Sequence, residues 1–319
     1  MAFFLGLDAG GTKTAAALGD DNRILASASG GSIKPLRVTQ DQAQANLASL
    51  LANIAQQSGV DLRNIAASCV GTAGLRLPQT NGWMRQIISS CASGEIVVCG
   101  DEEIALDAAF PGQAGVLPMA GTGSNTLGRT STGVLLTVGG WGPVLGDPGS
   151  GYWIGHQAMR SAVRARDFGQ PTRILDRVVE FWKAASLEDL INIAHASADF
   201  SQLAPIVVQC AAEGDAVALE VLERGGRLLG EDAVEAFRQV RQHEPDQPEP
   251  SIAFAGSILQ KVAPVRSSMI ETIQRSLPGV HIIPEPVDPL DGALWRARQA
   301  TKMPSAKSLP IDPPDRALD

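Results

Sequence analysis

The sequence places a carboxylate directly after an apolar run and before a glycine-rich turn. The run is Phe3-Phe4-Leu5-Gly6-Leu7, and it leads into Asp8-Ala-Gly-Gly-Thr-Lys-Thr14. It is long enough for a buried strand, and the glycines let the backbone turn with no Cβ in the way. Asp8 would then end the strand beside backbone N–H groups that can approach a phosphate closely. A carboxylate beside phosphate oxygens also suits a hydrated Mg²⁺ ion.

Two familiar phosphate-binding motifs do not describe this turn. It contains neither Gly-x4-Gly-Lys-Ser/Thr nor a Gly-x-Gly-x-x-Gly that opens a helix. Instead, Thr14-Ala-Ala-Ala-Leu18 and Arg23-Ile-Leu-Ala26 predict a second and a third strand, with a turn at Asp20-Asp21-Asn22. Taken alone, the stretch fits a plain hairpin turn as well as a phosphate loop, so its meaning depends on the segments that follow.

The next segments predict an alternation of helices and strands. A helix is expected from Gln40 to Gln57, because five apolar residues share one of its faces and Gly59 follows its end: Ala43, Leu47, Leu50, Leu51 and Ile54. Strands are expected at residues 64–70 and 95–99, with a helix at 81–91 between them, and the second strand ends at Gly100-Asp101. The predicted order is three strands, helix, strand, helix, strand.

The opening pattern then repeats. In the segment from Gly115 to Thr126, an apolar strand is again followed by Ala-Gly-Thr. Residues 127–129 and 134–138 can supply two further strands. We therefore predict an α/β fold made of two duplicated ribonuclease-H-like domains that face a cleft. The densest glycine region, Gly139 to Gly151, follows and is expected to shape backbone around a ligand. A helix is predicted at 152–166.

The remainder is predicted to enlarge the second domain. Helices are predicted over most of 172–241, with breaks near Ala185, Ala198 and Gly214. Strands are predicted at 251–255 and 280–283. One helix is predicted to begin at Gly256-Ser257, and the last helix is predicted at 291–298. The expected domains are 1–114 and 115–300. The proline-containing tail, 301–319, is expected to be disordered.

Composition limits the class of partner. The 319 residues are 44% hydrophobic and 19% charged with a net charge of −8, which is typical of a soluble globular protein and disfavours nucleic-acid or anionic-membrane binding. No Cys-x-x-Cys pair occurs among Cys69, Cys91, Cys99 and Cys210, so reduced, mostly buried thiols are expected rather than zinc or iron–sulfur ligands. A cytoplasmic protein with a small-molecule partner is the prediction.

Four segments now stand in the order used by the sugar kinase, Hsp70 and actin superfamily: Asp8 to Thr12, Gly100-Asp101, Ala120 to Asn125 and Ala255-Gly256-Ser257. Within that superfamily, Gly121-Thr-Gly-Ser-Asn125 and the block from Gly139 to Gln157 resemble the N-acetylglucosamine kinases of the BadF/BadG/BcrA/BcrD ATPase family. The resemblance extends from residue 3 to about residue 300.

The resemblance implies which residues would act as the base, hold Mg²⁺ and bind ATP. Asp101 would be the catalytic base that acts on a sugar 6-hydroxyl, although an Asp at this point would look the same as a plain helix cap. Asp8 would hold Mg²⁺. The ATP-binding residues would be Gly10, Gly11, Thr12, Lys13, Thr122, Gly123, Gly256 and Ser257.

The sugar end is expected to involve Asp101 together with Gly71, Thr72, Ala73, Gly74, Trp141, Gly142 and Asp147. Trp141 fits either a wall of the sugar pocket or the core. The sequence departs from the family pattern at Ser32-Ile-Lys-Pro35, where Lys34 stands at the position of a sugar-binding Asn. The added charge leaves open N-acetylglucosamine, glucosamine or the carboxylate-bearing N-acetylmuramic acid as the substrate.

The leading prediction is therefore an ATP-dependent amino-sugar 6-kinase. A partner-driving ATPase, similar to the activators of radical dehydratases, is the second possibility, but it would require cysteines that hold an iron–sulfur cluster. A sugar-sensing regulator that kept the fold and lost the chemistry is the third. The resemblance also implies a homodimer.

Overall fold

The computed structural model describes residues 2–35, 37–72, 78–196 and 199–302. The chain divides into two compact units. The first unit comprises the described residues of Met1–Ala114, Ser131–Val134 and Val287–Asp319, and the second comprises Gly115–Thr130 and Leu135–Pro286. The last helix thus belongs with the first unit, whereas the sequence-based division assigned everything from 115 to 300 to the second.

The first unit is a five-stranded mixed sheet with helices. Its strands are β1 Phe3–Ala9, β2 Lys13–Gly19, β3 Ile24–Gly31, β4 Ile65–Thr72 and β5 Glu95–Cys99, in the order β3-β2-β1-β4-β5. Its helices are α1 Gln40–Ser58, α2 Pro78–Ser89, α3 Asp101–Ala109 and, numbered along the chain, α11 Pro289–Ala300. Strands β1 to β3 pair antiparallel, while β1, β4 and β5 are parallel. The α/β class and the predicted element order are confirmed.

Helix α1 shows why these segments fold as expected. Thr39 caps it by accepting a hydrogen bond from Gln42 N at 3.3 Å, and Gly59 ends it with a φ of 70°, a conformation that glycine adopts without penalty. The five predicted apolar residues of α1 are all buried in the first unit's core.

Helix α11 packs unusually close to the sheet and to α3. A Cβ on Gly6 of β1 would lie 2.8 Å from Leu294 N, and a Cβ on Gly292 would collide with the carbonyl oxygen of Ile104. Arg296 ties the same two helices together, at 2.7 Å from Glu103 and 2.6 Å from Asp107. The first unit therefore requires a chain segment from the far end of the sequence.

Gly292→Ala is expected to destabilise the protein by about 2–3 kcal/mol, because the methyl group must displace backbone rather than a flexible side chain. Gly82→Ala on α2 is the matched control, since a Cβ there meets nothing within 4 Å and alanine favours a helix by up to about 1 kcal/mol. Scanning calorimetry of both variants measures the difference. Equal melting temperatures would contradict the close packing of α11.

The second unit combines a small antiparallel sheet with seven helices among its described residues. The strands are β6 Gly115–Ala120, β7 Ser124–Arg129 and β8 Leu135–Gly139. The helices are α4 Gly151–Asp167, α5 Ile174–Trp182, α6 Leu187–His195, α7 Ala204–Ala212, α8 Ala216–His243, α9 Ser257–Lys261 and α10 Ala263–Ser276, with a 3-10 turn at Phe200–Leu203. The second strand hairpin predicted from the repeat is thus present.

The predictions of regular strands at 251–255 and 280–283 were wrong. These segments pair with β6 and with each other only through isolated parallel bridges, at Val116–Ile252, Met119–Ala255 and Ile252–Ile282. Pro118 explains why the pairing of residues 251–255 with β6 is not continuous. It lies in the middle of β6 and has no N–H to donate, although its carbonyl accepts from Ala255 N at 3.1 Å.

The single helix predicted from Gly256-Ser257 is two helices. The break falls at Val262, whose φ of −106° and ψ of 87° are not helical. Pro264, in the first turn of α10, cannot donate the main-chain hydrogen bond that a continuous helix would need there. Of the three predicted helix breaks, the one near Ala198 lies outside the described residues, as do residues 303–319 of the predicted tail.

No helix of the described residues combines the length and the apolar character needed to cross a membrane.

Candidate active site

The phosphate-type turn of the first unit joins β1 to β2. Asp8 is the penultimate residue of β1 and is aligned with Ala15 of β2 and Gly71 of β4. The turn after it consists of Gly10, Gly11 and Thr12, as the sequence predicted. Asp8 therefore lies at the carboxyl end of a central strand, directly before the turn.

Carboxylates from three parts of the chain interact around this strand end. Asp101 begins α3 directly after β5, and Asp288 caps α11 by accepting from Leu290 N at 3.0 Å. Parallel strands end at the same edge of a sheet, so β1 and β5 carry Asp8 and Asp101 to one edge. Burial, and then the negative charges of Asp101 and Asp288, raise the pKa of Asp8 to about 6. Ionising Asp8 is therefore more costly in the folded protein than in water.

Cations from two segments oppose these carboxylates. The charges of Lys13 and Lys34 both act to lower the pKa of Asp8. Arg37 lies over the turn as well, because a Cβ on Gly11 would be 3.8 Å from its Nε atom. Sequence reasoning missed Arg37, although two cations three residues apart after the predicted hairpin were a usable signal. Lys13, Lys34 and Arg37 thus place positive charge beside this turn.

The backbone of Lys34 is held firmly beside the turn. Ser32 Oγ donates to Gly10 O at 2.9 Å and accepts from Lys34 N at 3.2 Å. The indole N–H of Trp83 donates to Ile33 O at 2.8 Å. Both preceding residues are therefore hydrogen-bonded to other segments, which holds the Lys34 backbone beside the turn.

Part of the predicted sugar loop has packing roles. A Cβ on Gly71 would collide with the Ile104 side chain of α3, and buried Thr72 donates its hydroxyl to Ala9 O at 3.3 Å. Both residues lie on β4, between β1, which carries Asp8, and β5, which precedes Asp101. The rest of this predicted loop, Ala73-Gly74, lies outside the described residues.

The second unit holds the other phosphate-type turn. Gly121 N donates to Gly123 O at 2.9 Å across it. The first turn of α4 fixes its outer side, because Gly151 N donates to Gly121 O at 2.8 Å and Tyr152 N donates to Thr122 O at 3.2 Å. The turn conformation is therefore determined by a helix that begins almost thirty residues later in the sequence.

Gly256 brings the start of α9 to this turn. Its φ is 97°, and a Cβ would collide with the carbonyl oxygen of Ala120 at the end of β6. Only glycine meets both conditions. As a result, Ser257 Oγ lies 3.9 Å from the Cβ position of Gly121.

A cavity of about 400 Å³ opens at this junction, and Thr122 and Ser257 both line it. Its other wall comes from the helical insertion, which sequence reasoning did not connect with the site. The wall residues are Ser201, Ala204, Pro205 and Val208, and Ile258, Lys261 and Val262 of α9 and its end complete the lining with Gly121 and Gly151. The lining combines the hydroxyl groups of Thr122, Ser201 and Ser257 with apolar side chains, as is typical of a small-molecule site.

Asp147 organises the glycine-rich loop of the second unit. It is only 5% exposed, has a φ of 54°, and accepts from Gly142 N at 3.0 Å. Its other carboxylate oxygen lies 2.6 Å from the Cβ position of Gly123. Burial raises the pKa of Asp147, against hydrogen bonds from the N–H groups of Gly142 and Ser124. Trp141 is 55% exposed, so it is not a core residue.

Two α/β units that each present a strand hairpin with a phosphate-type turn define a protein of the actin-like ATPase class. Among solved structures, a Chromobacterium violaceum protein proposed to be an N-acetylglucosamine kinase is 26% identical, with a TM-score of 0.70 over 92% of this chain and 98% of its own. The family model of the BadF/BadG/BcrA/BcrD ATPases matches residues 5–295, and the chain belongs to this family.

Two curated relatives are kinases. The N-acetylmuramic acid/N-acetylglucosamine kinase of Clostridium acetobutylicum is 31% identical over 236 residues, which are 72% of this chain and 77% of that protein. The N-acetyl-D-glucosamine kinase of Dictyostelium discoideum is 25% identical over 318 residues, covering 94% and 98% respectively. The family and the fold class expected from the sequence are confirmed.

Proposed function

We propose that this protein transfers the γ-phosphoryl group of ATP to the 6-hydroxyl of N-acetylglucosamine. The observation that carries the proposal is the meeting of Asp8 and Asp101 at one sheet edge, with Lys13 and Lys34 acting on the same carboxylate. The two curated relatives, both kinases of N-acetylated amino sugars, support the same chemistry.

Asp101 is the base in this proposal. It accepts the proton of the sugar 6-hydroxyl while that oxygen forms a bond to the γ-phosphorus and the bond to the β,γ-bridging oxygen breaks. The products are the sugar 6-phosphate and ADP. Asp101 can serve because it begins a helix at a strand end, where one carboxylate oxygen can face a substrate.

Asp8 is the protein ligand proposed for Mg²⁺. Its raised pKa fits, since a bound cation would remove the cost of ionising it. Among the described residues, no group of three or more acidic, His or Cys side chains could hold a metal ion alone. That agrees with an ion whose other oxygens come from phosphates and water. Bound there, Mg²⁺ would supply charge neutralisation on the transferred phosphoryl group.

The remaining proposed contacts follow the two turns. Gly10, Gly11, Thr12 and Lys13 would contact phosphates from the first unit, and Thr122 and Gly123 from the second. The cavity beside Gly256 and Ser257 would take the adenosine. The proposed sugar contacts are Gly71, Thr72, Ala73, Gly74, Trp141, Gly142 and Asp147, with Asp147 also shaping the loop. A cytoplasmic homodimer is part of the same proposal.

The experiment that tests the proposal is ADP release from ATP and Mg²⁺ with a panel of sugars: N-acetylglucosamine, glucosamine, N-acetylmannosamine, N-acetylmuramic acid and glucose. We expect turnover that depends on an N-acetylated amino sugar, with the phosphate on O6 by NMR. Equal ADP release without sugar would instead favour a partner-driving ATPase.

Lys34 favours N-acetylmuramic acid as a second substrate, because its anchored backbone places a cation beside the site. Lys34→Asn is expected to lower kcat/KM for that carboxylate-bearing sugar about 10- to 100-fold relative to N-acetylglucosamine, the value of one charge-assisted hydrogen bond. Steady-state kinetics with both sugars measure the ratio. If kcat/KM falls equally for both sugars, Lys34 acts on phosphate rather than on the sugar.

A further inference from the structure

The first turn of α3, which carries the proposed base, is closed by the side chain of Glu103. Its Oε1 accepts a hydrogen bond from Gly100 N at 3.0 Å, and in the reverse direction Gly100 O accepts from Glu103 N at 3.1 Å. A Glu at the third helical position commonly reaches back in this way to the residue that caps the helix. Asp101 lies between these two residues, so the two hydrogen bonds fix the backbone on both sides of it.

The other carboxylate oxygen of Glu103 is held from the far end of the chain. Arg296 of α11 donates from Nη1 to Glu103 Oε2 at 2.7 Å and from Nε to Asp107 Oδ2 at 2.6 Å. The Asp107 side chain is 1% exposed, and those of Glu103 and Arg296 are 18% and 22% exposed. The donors of a planar guanidinium group point in fixed directions, so Arg296 can bind both carboxylates at once. Arg296 thereby fixes the orientation of the Glu103 carboxylate.

The attachment of α11 to the first unit does not depend on Arg296 alone. The backbone packs closely at Gly6 and Gly292, and Leu294 of α11 is buried in one cluster with Ile104 of α3. What Arg296 adds is a partner for a largely buried carboxylate. Without this partner the Glu103 carboxylate would be stabilised by turning toward water, and it would then release Gly100 N.

We propose that Arg296 is a positioning residue for Asp101: its guanidinium group fixes Glu103, and Glu103 fixes the turn that carries Asp101. The inference rests on the proposed function, because it assigns Asp101 the role of base. A displacement of about 1 Å in a reacting group can lower a rate about 100-fold. The phosphate contacts proposed at Gly10 to Thr12 lie on another turn, so the loss of Arg296 should lower kcat with little change in KM for ATP.

The test measures sugar-dependent ADP release by Arg296→Met and Arg298→Met. Arg298 is the matched control, because it lies on the same helix but donates from Nε to Asp20 O, at 2.8 Å, in the turn between β2 and β3. Arg296→Met is expected to lower kcat about 10- to 100-fold, with KM for ATP within about 2-fold of wild type. Arg298→Met should lower the melting temperature and leave kcat within about 2-fold of wild type. Equal losses of kcat in the two variants, or an unchanged kcat in Arg296→Met, would overturn the inference.

A double variant tests whether Arg296 acts through Glu103. Glu103→Ala is expected to lower kcat by a factor similar to that of Arg296→Met. The double variant should lose no more than about 3-fold beyond either single variant, because both changes release the same turn. Losses that multiply would show two independent effects and would contradict the proposed order of contacts.

Arg296→Lys keeps the inference testable if Arg296→Met does not fold. Lysine retains the charge but lacks the planar group that binds both carboxylates, so kcat should fall at least about 3-fold, whereas Arg298→Lys should match wild type. In that case, a kcat of Arg296→Lys equal to that of wild type overturns the inference. A folded wild type without sugar-dependent ADP release overturns the proposed function instead, and this role for Arg296 with it.

Discussion

Asp101→Asn is expected to lower kcat for sugar-dependent ADP release by about 10²- to 10⁴-fold, with little change in KM for ATP. Asparagine has nearly the same size but cannot accept the hydroxyl proton. Without a base the attacking oxygen must carry its proton into the transition state, which raises the barrier by about 3–5 kcal/mol. Coupled measurement of ADP at saturating sugar gives kcat directly.

Asp21→Asn is the matched control, because Asp21 is an exposed carboxylate in the turn between β2 and β3. Its kcat should equal that of wild type. A melting temperature close to wild type would show that Asp101→Asn folds normally. A kcat for Asp101→Asn within a few-fold of wild type would remove Asp101 as the base and leave it only the role of beginning α3.

Asp8→Asn is expected to abolish activity while making the folded protein more stable at neutral pH. The loss of activity follows from the loss of the proposed Mg²⁺ ligand. The gain in stability follows from the pKa of Asp8, which rises from 3.8 in the unfolded chain to about 6 in the folded state. An acidic group whose pKa is higher in the folded than in the unfolded state makes its full contribution to stability below its unfolded-state pKa. That contribution is lost as the pH rises through its folded-state pKa.

Above pH 6, ionised Asp8 therefore costs the ligand-free wild type on the order of 2–3 kcal/mol, a cost that neutral Asn does not carry. The melting temperature of Asp8→Asn minus that of wild type should grow between pH 4 and pH 7. Adding Mg²⁺ and ATP should raise the melting temperature of wild type and leave the variant unchanged. A difference that does not vary with pH would contradict the electrostatic account of this site.

The sequence alone predicted the features that depend on neighbouring residues. Apolar runs followed by Ala-Gly-Gly-Thr and Ala-Gly-Thr identified both hairpins, since strand periodicity and turn chemistry are local properties. The strand predicted at 251–255 was wrong for the same reason. These residues have the local pattern of a strand, but their pairing with β6 is interrupted by Pro118, which is far away in the sequence.

Only the tertiary structure decided which distant groups share a site. Asp288 joins Asp8 because α11 crosses back onto the first sheet, and that crossing depends on Gly6 and Gly292. Ser201 lines the cavity of the second unit because the 3-10 turn before α7 packs against α4, and no local pattern encodes that contact. The pKa of Asp8 likewise depends on burial and on neighbouring charges, which arise only when separate segments pack together.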